Sequence, residues 1–467
     1  IEKGRWDDKP KPFTFRGAAN AELRKTVDVQ KRQTEVWKEI EKQFPEQKDI
    51  VPLPAYFKQS LSKLHPVYFA MVMATGIISI NFKLQGFDQA ANLLFLINLI
   101  VYLYLIILFI MRAFQFPSNV VNDLCDHQRS PGFFTVVAAS SIIGTQCYMI
   151  MNSSGGAQAF FSLALILWLL SIYTIFVLLT VKQNKPPFEE GINGGWLVSI
   201  VATQSIPVVG SIFLNPSENN DTILFILTAF WLFGGMLYIW IISIIFYRYI
   251  FFKFDPHDLM PPYWINMGAM AISSLAGSLI LLKSENSSLI YPLFPFLKGL
   301  TLMYWATATW WIPMLFILGV WRHFIKKMPI SYSPLYWGLV FPVGMYSVCT
   351  IRLKQVLPGV EWLGIVAGIF TVLGTCTWII TFLGAFTRMV YGILLWFSRK
   401  KIDLGHTASE LSVRNNLTSG NVMVRLGRFL MVIAIAVYCI NGLTPFSQLH
   451  VAEFFFTGGA VFWLTGL

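Results

Sequence analysis

Apolar runs of membrane-spanning length alternate with short polar connectors along most of the chain. A bilayer core about 30 Å thick needs roughly 20 apolar helical residues to cross it. Runs of that order fall near residues 66–82, 91–112, 131–151, 157–181, 194–213, 223–250, 261–282, 297–323, 334–353 and 362–397. The pattern predicts an all-α integral membrane protein, with ten transmembrane helices joined as five helical hairpins.

The runs differ in character. The second, around LLFLINLIVYLYLIILFIM, contains no Gly, Ala, Ser or Thr and reads as lipid-facing. The third carries Gly132, Thr135, Ala138, Ala139, Ser140, Ser141, Gly144 and Thr145. The first, fifth and seventh are similarly rich in small and hydroxyl residues. Small residues let helix backbones approach closely, so tight packing alone explains part of this. Its repetition in alternate segments predicts more: an inner ring of odd-numbered helices around a central polar path, with the even-numbered helices outside. The candidate pore-lining side chains are Thr75, Ser79, Ser140, Ser141, Thr203, Ser205, Ser273, Ser274 and Ser347. Pro207 and Pro342 fall inside the fifth and ninth runs, where a break frees backbone polar groups at membrane depth. Such groups are tolerated where they meet protein or a water-filled cavity.

Composition agrees with the pattern: 55% of the 467 residues are hydrophobic and 13% are charged. The net charge of +11 is read as the basic excess of cytoplasmic loops, not as a nucleic-acid surface. With the N-terminal arm inside, the inner loops carry Arg112, Arg129, Lys182, Lys185, Arg248, Lys253, Arg322, Lys326 and Lys327, and Arg399–Lys401 follow the tenth run. The outer side carries only Lys83, Lys283, Lys298, Arg352 and Lys354. This asymmetry predicts a multi-pass protein of a cell membrane, plasma or bacterial inner, with a cytoplasmic N-terminus.

No odd-numbered run has an Asp, Glu, Lys, Arg or His near its middle, which argues against a proton or cation relay. Hydroxyls can stabilise a passing anion without trapping it, and basic residues at a mouth concentrate anions. Lys298, Arg352 and Lys354 are the candidates for an anion-attracting outer mouth, each with the simpler reading of an interfacial anchor. The five cysteines form no CxxC pair, so no disulfide, metal or cofactor is expected. The loops DLCDH and DPHD hold carboxylates beside histidine, with helix capping favoured over metal binding. No nucleophile elbow, phosphate loop or HExxH occurs, and no enzyme activity is expected.

Three stretches carry a resemblance: HPVYFAMVMATGIISI (65–80), PPYWINMGAMAISSLAG (261–277) and WGLVFPVGMYSVCT (337–350). They resemble the tellurite-resistance and C4-dicarboxylate transporter family, which includes plant slow anion channels, fungal malate permeases and sulfite efflux pumps. The resemblance covers about residues 60–400. It implies ten helices in five hairpins, one pore per protomer lined by the odd helices, and a homotrimer. It also implies that Phe341, just before Pro342, is a pore gate. Read without the resemblance, Phe341 is a buried packing residue. The implied substrates are small inorganic anions or C4-dicarboxylates such as malate.

Four regions follow: a polar arm over 1–64 with a surface helix near 21–47, the ten-helix domain over 65–400, a polar linker over 401–424 and an added membrane helix pair over 425–467. The chain starts at Ile1 and stops within an apolar run, as expected of a sequence trimmed at both ends. Two rival functions remain open: a proton-coupled dicarboxylate carrier, and a membrane subunit or sensor with a vestigial pore. In the second, the arm or the C-terminal pair would dock a protein partner.

Overall fold

The computed structural model describes residues 53–215, 220–330 and 332–402. The expected surface helix near 21–47 and the C-terminal pair lie outside them, as does the linker from residue 403 onward. The chain divides into two compact units, residues 1–383 and 384–467. The described residues are helical apart from short connectors, without a strand. Ten helices are long and apolar enough to cross a membrane. They are α1 (Pro66–Leu84), α2 (Asp88–Gln115), α3 (Ser130–Met151), α4 (Ser154–Val181), α5 (Gly194–Ile212), α6 (Asp221–Phe251), α7 (Pro261–Lys283), α8 (Tyr291–Ile325), α9 (Pro334–Val356) and α10, whose span is Leu363–Val390.

Burial separates these helices into two sets. Central windows of the odd helices are 67–94% buried, and those of the even helices 22–39%. The odd helices pack in a closed cycle: α1 on α3, α3 on α5, α5 on α7, α7 on α9, and α9 on α1. Even helices lie outside, in the grooves between successive odd ones. Thus α2 touches α1 and α3, α4 touches α3 and α5, and α6 touches α5 and α7. The inner ring read from small and hydroxyl residues is therefore a real layer, and the bulky even helices form the apolar outer face.

Every odd helix enters through one tight 3-10 turn: Pro66–Phe69, Ser130–Phe133, Gly194–Leu197, Pro261–Trp264 and Pro334–Tyr336. Proline near the start of four of them costs no hydrogen bond, because the first helical N–H groups have no internal partner. His65, Asn193 and Ser333 each accept a backbone N–H as the cap. The five turns also touch in a closed cycle, inside the end of the helix ring. Glycine permits the approach: a Cβ on Gly194 would lie 2.8 Å from the Pro262 carbonyl oxygen.

A second feature repeats at the same end. Basic residues at the ends of even helices donate to a backbone carbonyl just before the odd helix of the same hairpin. Arg112 Nε lies 3.2 Å from the Ser62 oxygen. Lys182 Nζ lies 2.8 Å from that of Cys125, and Arg248 Nη1 3.1 Å from that of Ile192. Arg322 reaches the Leu259 carbonyl in the same way. Besides their topological charge, these residues clamp four of the five hairpins shut.

Candidate anion pathway

Among the described residues, the inner ring borders a narrow cavity of about 20 Å³, room for about a single water molecule. Each odd helix gives it a stripe about two turns long: Ile77 to Leu84, Ser141 to Met149, Ser205 to Ile212, Ile272 to Leu279, and Met345 to Arg352. All five stripes come from the C-terminal halves of their helices, so the cavity occupies one half of the bundle. Its lining is mostly aliphatic, with hydroxyls from Ser141, Thr145 and Ser205, one guanidinium from Arg352, and no carboxylate.

Ser141 and Ser205 meet across this space, with their hydroxyl oxygens 2.9 Å apart. The other candidate hydroxyls make different contacts. Ser140 pairs with the Tyr102 hydroxyl at 2.8 Å, and Ser79 donates to the Ala91 carbonyl at 2.8 Å. Thr203 accepts the Trp168 indole N–H at 2.9 Å, and Thr75 that of Trp378 at 3.0 Å. Ser347 donates to the Ala367 carbonyl and lies 2.9 Å from Thr371. Ser273 donates within its own helix, while its carbonyl takes the Trp231 indole N–H. Ser274 is buried, and its hydroxyl has no partner among the described residues. Of the nine candidates, Ser141 and Ser205 thus border the cavity, and Thr75, Ser79, Ser140, Thr203, Ser273 and Ser347 bond to the outer helices.

Sequence reasoning overlooked the outer-helix residues in these bonds: Tyr102, Trp168, Trp231 and Trp378. The signal was available, since a buried Trp N–H or Tyr O–H requires a partner. Helices rich in such rings outside helices rich in hydroxyls imply this bonding.

Phe341 is 2% exposed and precedes Met345 by four residues on α9. It therefore continues the stripe Met345–Val348–Arg352 by one turn, about 6 Å, beyond the inner end of the cavity. Pro342 remains within a continuous helix and packs against Gly268 of α7.

The candidate mouth residues have three different settings. Arg352 borders the cavity and donates to the Gln355 side chain at 2.9 Å. Lys354 pairs with Glu361 at 2.6 Å, and Lys298 lies 4.8 Å from the centre of the Phe294 ring. At the opposite end, the carboxylates of DLCDH and DPHD serve the loops. Asp123 binds Arg112 at 2.7 Å and Arg129 at 2.6 Å, and Asp126 and Asp255 cap backbone N–H groups. Beside this cluster, burial and the positive charges of Arg129 and Arg112 outweigh nearby acids and push His65 down to about 4.

Residues 63–386 match the family described as voltage-dependent anion channel. The chain belongs to this family.

Similarity to individual relatives spans several kingdoms. An uncharacterized transporter of Methanocaldococcus jannaschii is 24% identical over 291 residues, 61% of this chain and 82% of the relative. An uncharacterized membrane protein of Mycobacterium tuberculosis is 34% identical over 148 residues, 31% of this chain and 73% of the relative. A sulfite efflux pump of Arthroderma benhamiae is 20% identical over 345 residues, 69% of this chain and 90% of the relative. As a voltage-dependent anion channel family member, the protein is a multi-pass anion transporter, and its family is one of channels and transporters, not enzymes.

Proposed function

We propose that small inorganic anions or C4-dicarboxylates such as malate cross the membrane along the axis of the α1–α3–α5–α7–α9 ring, with Phe341 as the gate. The observation that carries this reading is a cavity of about 20 Å³ bordered by Arg352, Val348 and Met345 of α9, with Phe341 one helical turn before Met345. A space that small passes no hydrated anion, so the conformation is a closed one. Pro342 supports the role of its neighbour. Proline lacks an N–H, so the Gly338 carbonyl lacks its usual partner, and the helix is more easily deformed at the gate.

Sulfite belongs to the tested substrates, because a relative is named as a sulfite efflux pump. The basic clamps at one end of the bundle favour a cytoplasmic N-terminus. Three protomers would pack through their apolar outer helices. The test is flux into proteoliposomes of chloride, nitrate, sulfite and malate at two pH values. Fast flux that ignores pH supports a channel. Slow, saturable, pH-dependent malate flux identifies a coupled carrier instead.

A further inference from the structure

The outer end of the cavity holds two basic residues that enter no ion pair among the described residues. Arg352 is the last residue of the α9 stripe. Lys283 follows Leu279, the last cavity-lining residue of α7, by four positions and so continues that stripe by one turn. Its Nζ lies 2.6 Å from the carbonyl of Leu214, just past the α5 stripe that ends at Ile212. The ammonium is thereby held over the mouth, between α7 and α5. Arg352 borders the same cavity from α9, beside Ile212 of α5 and Leu279 of α7.

Other basic residues near this end are engaged. Lys83 pairs with Asp88 at 2.7 Å, Lys354 pairs with Glu361, and Lys298 lies against a ring. Among the described residues, Lys283 and Arg352 enter no ion pair. Both are only partly exposed. Holding two like charges together in a half-buried rim is unfavourable unless something between them is negative. Each also has donors to spare: an ammonium has three and a guanidinium five, against one observed acceptor for each, the Leu214 carbonyl and the Gln355 side chain.

We propose that Lys283 and Arg352 form an outer binding site for a dianion with two or more oxygens, an inorganic oxyanion or a dicarboxylate, and that the site favours it over halide. Two fixed positive charges match two negative ones, and the guanidinium fork matches paired oxygens. The inference deepens the proposed function by assigning a substrate class to the same pathway.

Binding is measured separately from transport, as the thermal shift of the detergent-purified full chain with sulfate, malate or chloride at matched ionic strength. Lys283→Gln and Arg352→Gln should each weaken sulfate or malate by about tenfold or more, the loss of one charge-assisted hydrogen bond, and change chloride far less. A larger effect on sulfate points to an inorganic oxyanion, and a larger effect on malate to a dicarboxylate. Arg352→Lys and Lys283→Arg should recover most of the binding, which separates loss of charge from loss of fold. Equal losses for chloride and the dianions, or no loss, would overturn the site. If wild-type liposomes carry no anion while the sulfate shift persists, the transport reading fails and the site stands.

Discussion

Gly268 of α7 and Pro342 of α9 meet so closely that neither tolerates a larger neighbour. A Cβ on Gly268 would lie 2.7 Å from Pro342 Cγ and 3.2 Å from its Cα. Gly344, half a turn further along α9, meets Ile77 and Ile78 of α1 in the same way. The segment that carries Phe341 thus packs closely against α7 and α1 at these two glycines.

Gly268→Val should therefore destabilise the protein by about 1–3 kcal/mol, the usual cost of overpacking. Gly299 is the control, since a Cβ there meets nothing within 4 Å. Gly299→Ala should be neutral or stabilising by up to about 1 kcal/mol, because alanine is the better helix former. Unfolding midpoints in one detergent decide it, and equal behaviour of the two variants would show that α7 and α9 are not in contact at Pro342.

The Arg112–Asp123–Arg129 cluster should be costly to break. Arg112 is 1% exposed in its pair with Asp123. Asp123→Asn leaves two arginines facing each other without compensation, at a cost of about 3–5 kcal/mol. The expected readout is a large fall in the unfolding midpoint and in the yield of folded protein. A variant as stable as the wild type would contradict the pairing.

Bonds between inner and outer helices should matter for stability more than for flux. Trp378→Phe removes the indole donor to Thr75 and keeps the ring. Polar bonds within membranes contribute about 0.6 kcal/mol on average, with about 1.7 at most. A small fall in the unfolding midpoint with unchanged anion selectivity is expected. A change of selectivity would place Thr75 in the path.

Acid should weaken the protein through His65. Its folded-state value of about 4 lies below the ordinary 6.5, because burial comes first and the nearby arginines second in disfavouring the cation. The unfolded chain therefore binds a proton that the folded chain does not. This contribution is complete above about pH 6.5 and is lost as pH falls toward 4. The geometry agrees, since the Nδ1 that accepts the Val67 N–H at 3.0 Å cannot accept once protonated. His65→Asn keeps a cap acceptor and removes the titration. Its unfolding midpoint should vary less between pH 6.5 and 4 than that of the wild type, and equal slopes would refute the assignment.

Much of this architecture is legible in the chain. Ten spans and their inner and outer layers follow from two signals, length and the alternation of small with bulky residues. The contacts of individual hydroxyls are not legible. Ser140 and Ser141 are adjacent, yet one turns to Tyr102 of α2 and the other to Ser205 beside the cavity. A step of one residue rotates a helix by about 100°, and composition does not resolve that angle. The entry turns were legible and overlooked: HPVYF, SPGFF, PPYWI and SPLYW repeat proline and aromatics at the start of odd helices. The repeat marks the start of four of the five odd helices, the exception being the NGGWL entry of α5. The roles of Arg112, Lys182, Arg248 and Arg322 depend on carbonyls some fifty or more residues earlier, which no local pattern reports.

The central claim is that Phe341 closes the axial path. The most direct measurement compares anion flux through wild-type protein and Phe341→Ala in proteoliposomes, at equal amounts of folded protein. If Phe341 closes the path, removing its ring opens a passage and flux rises several-fold. Flux that is unchanged or lower in a well-folded Phe341→Ala protein would contradict the gate and leave Phe341 a packing residue of α9.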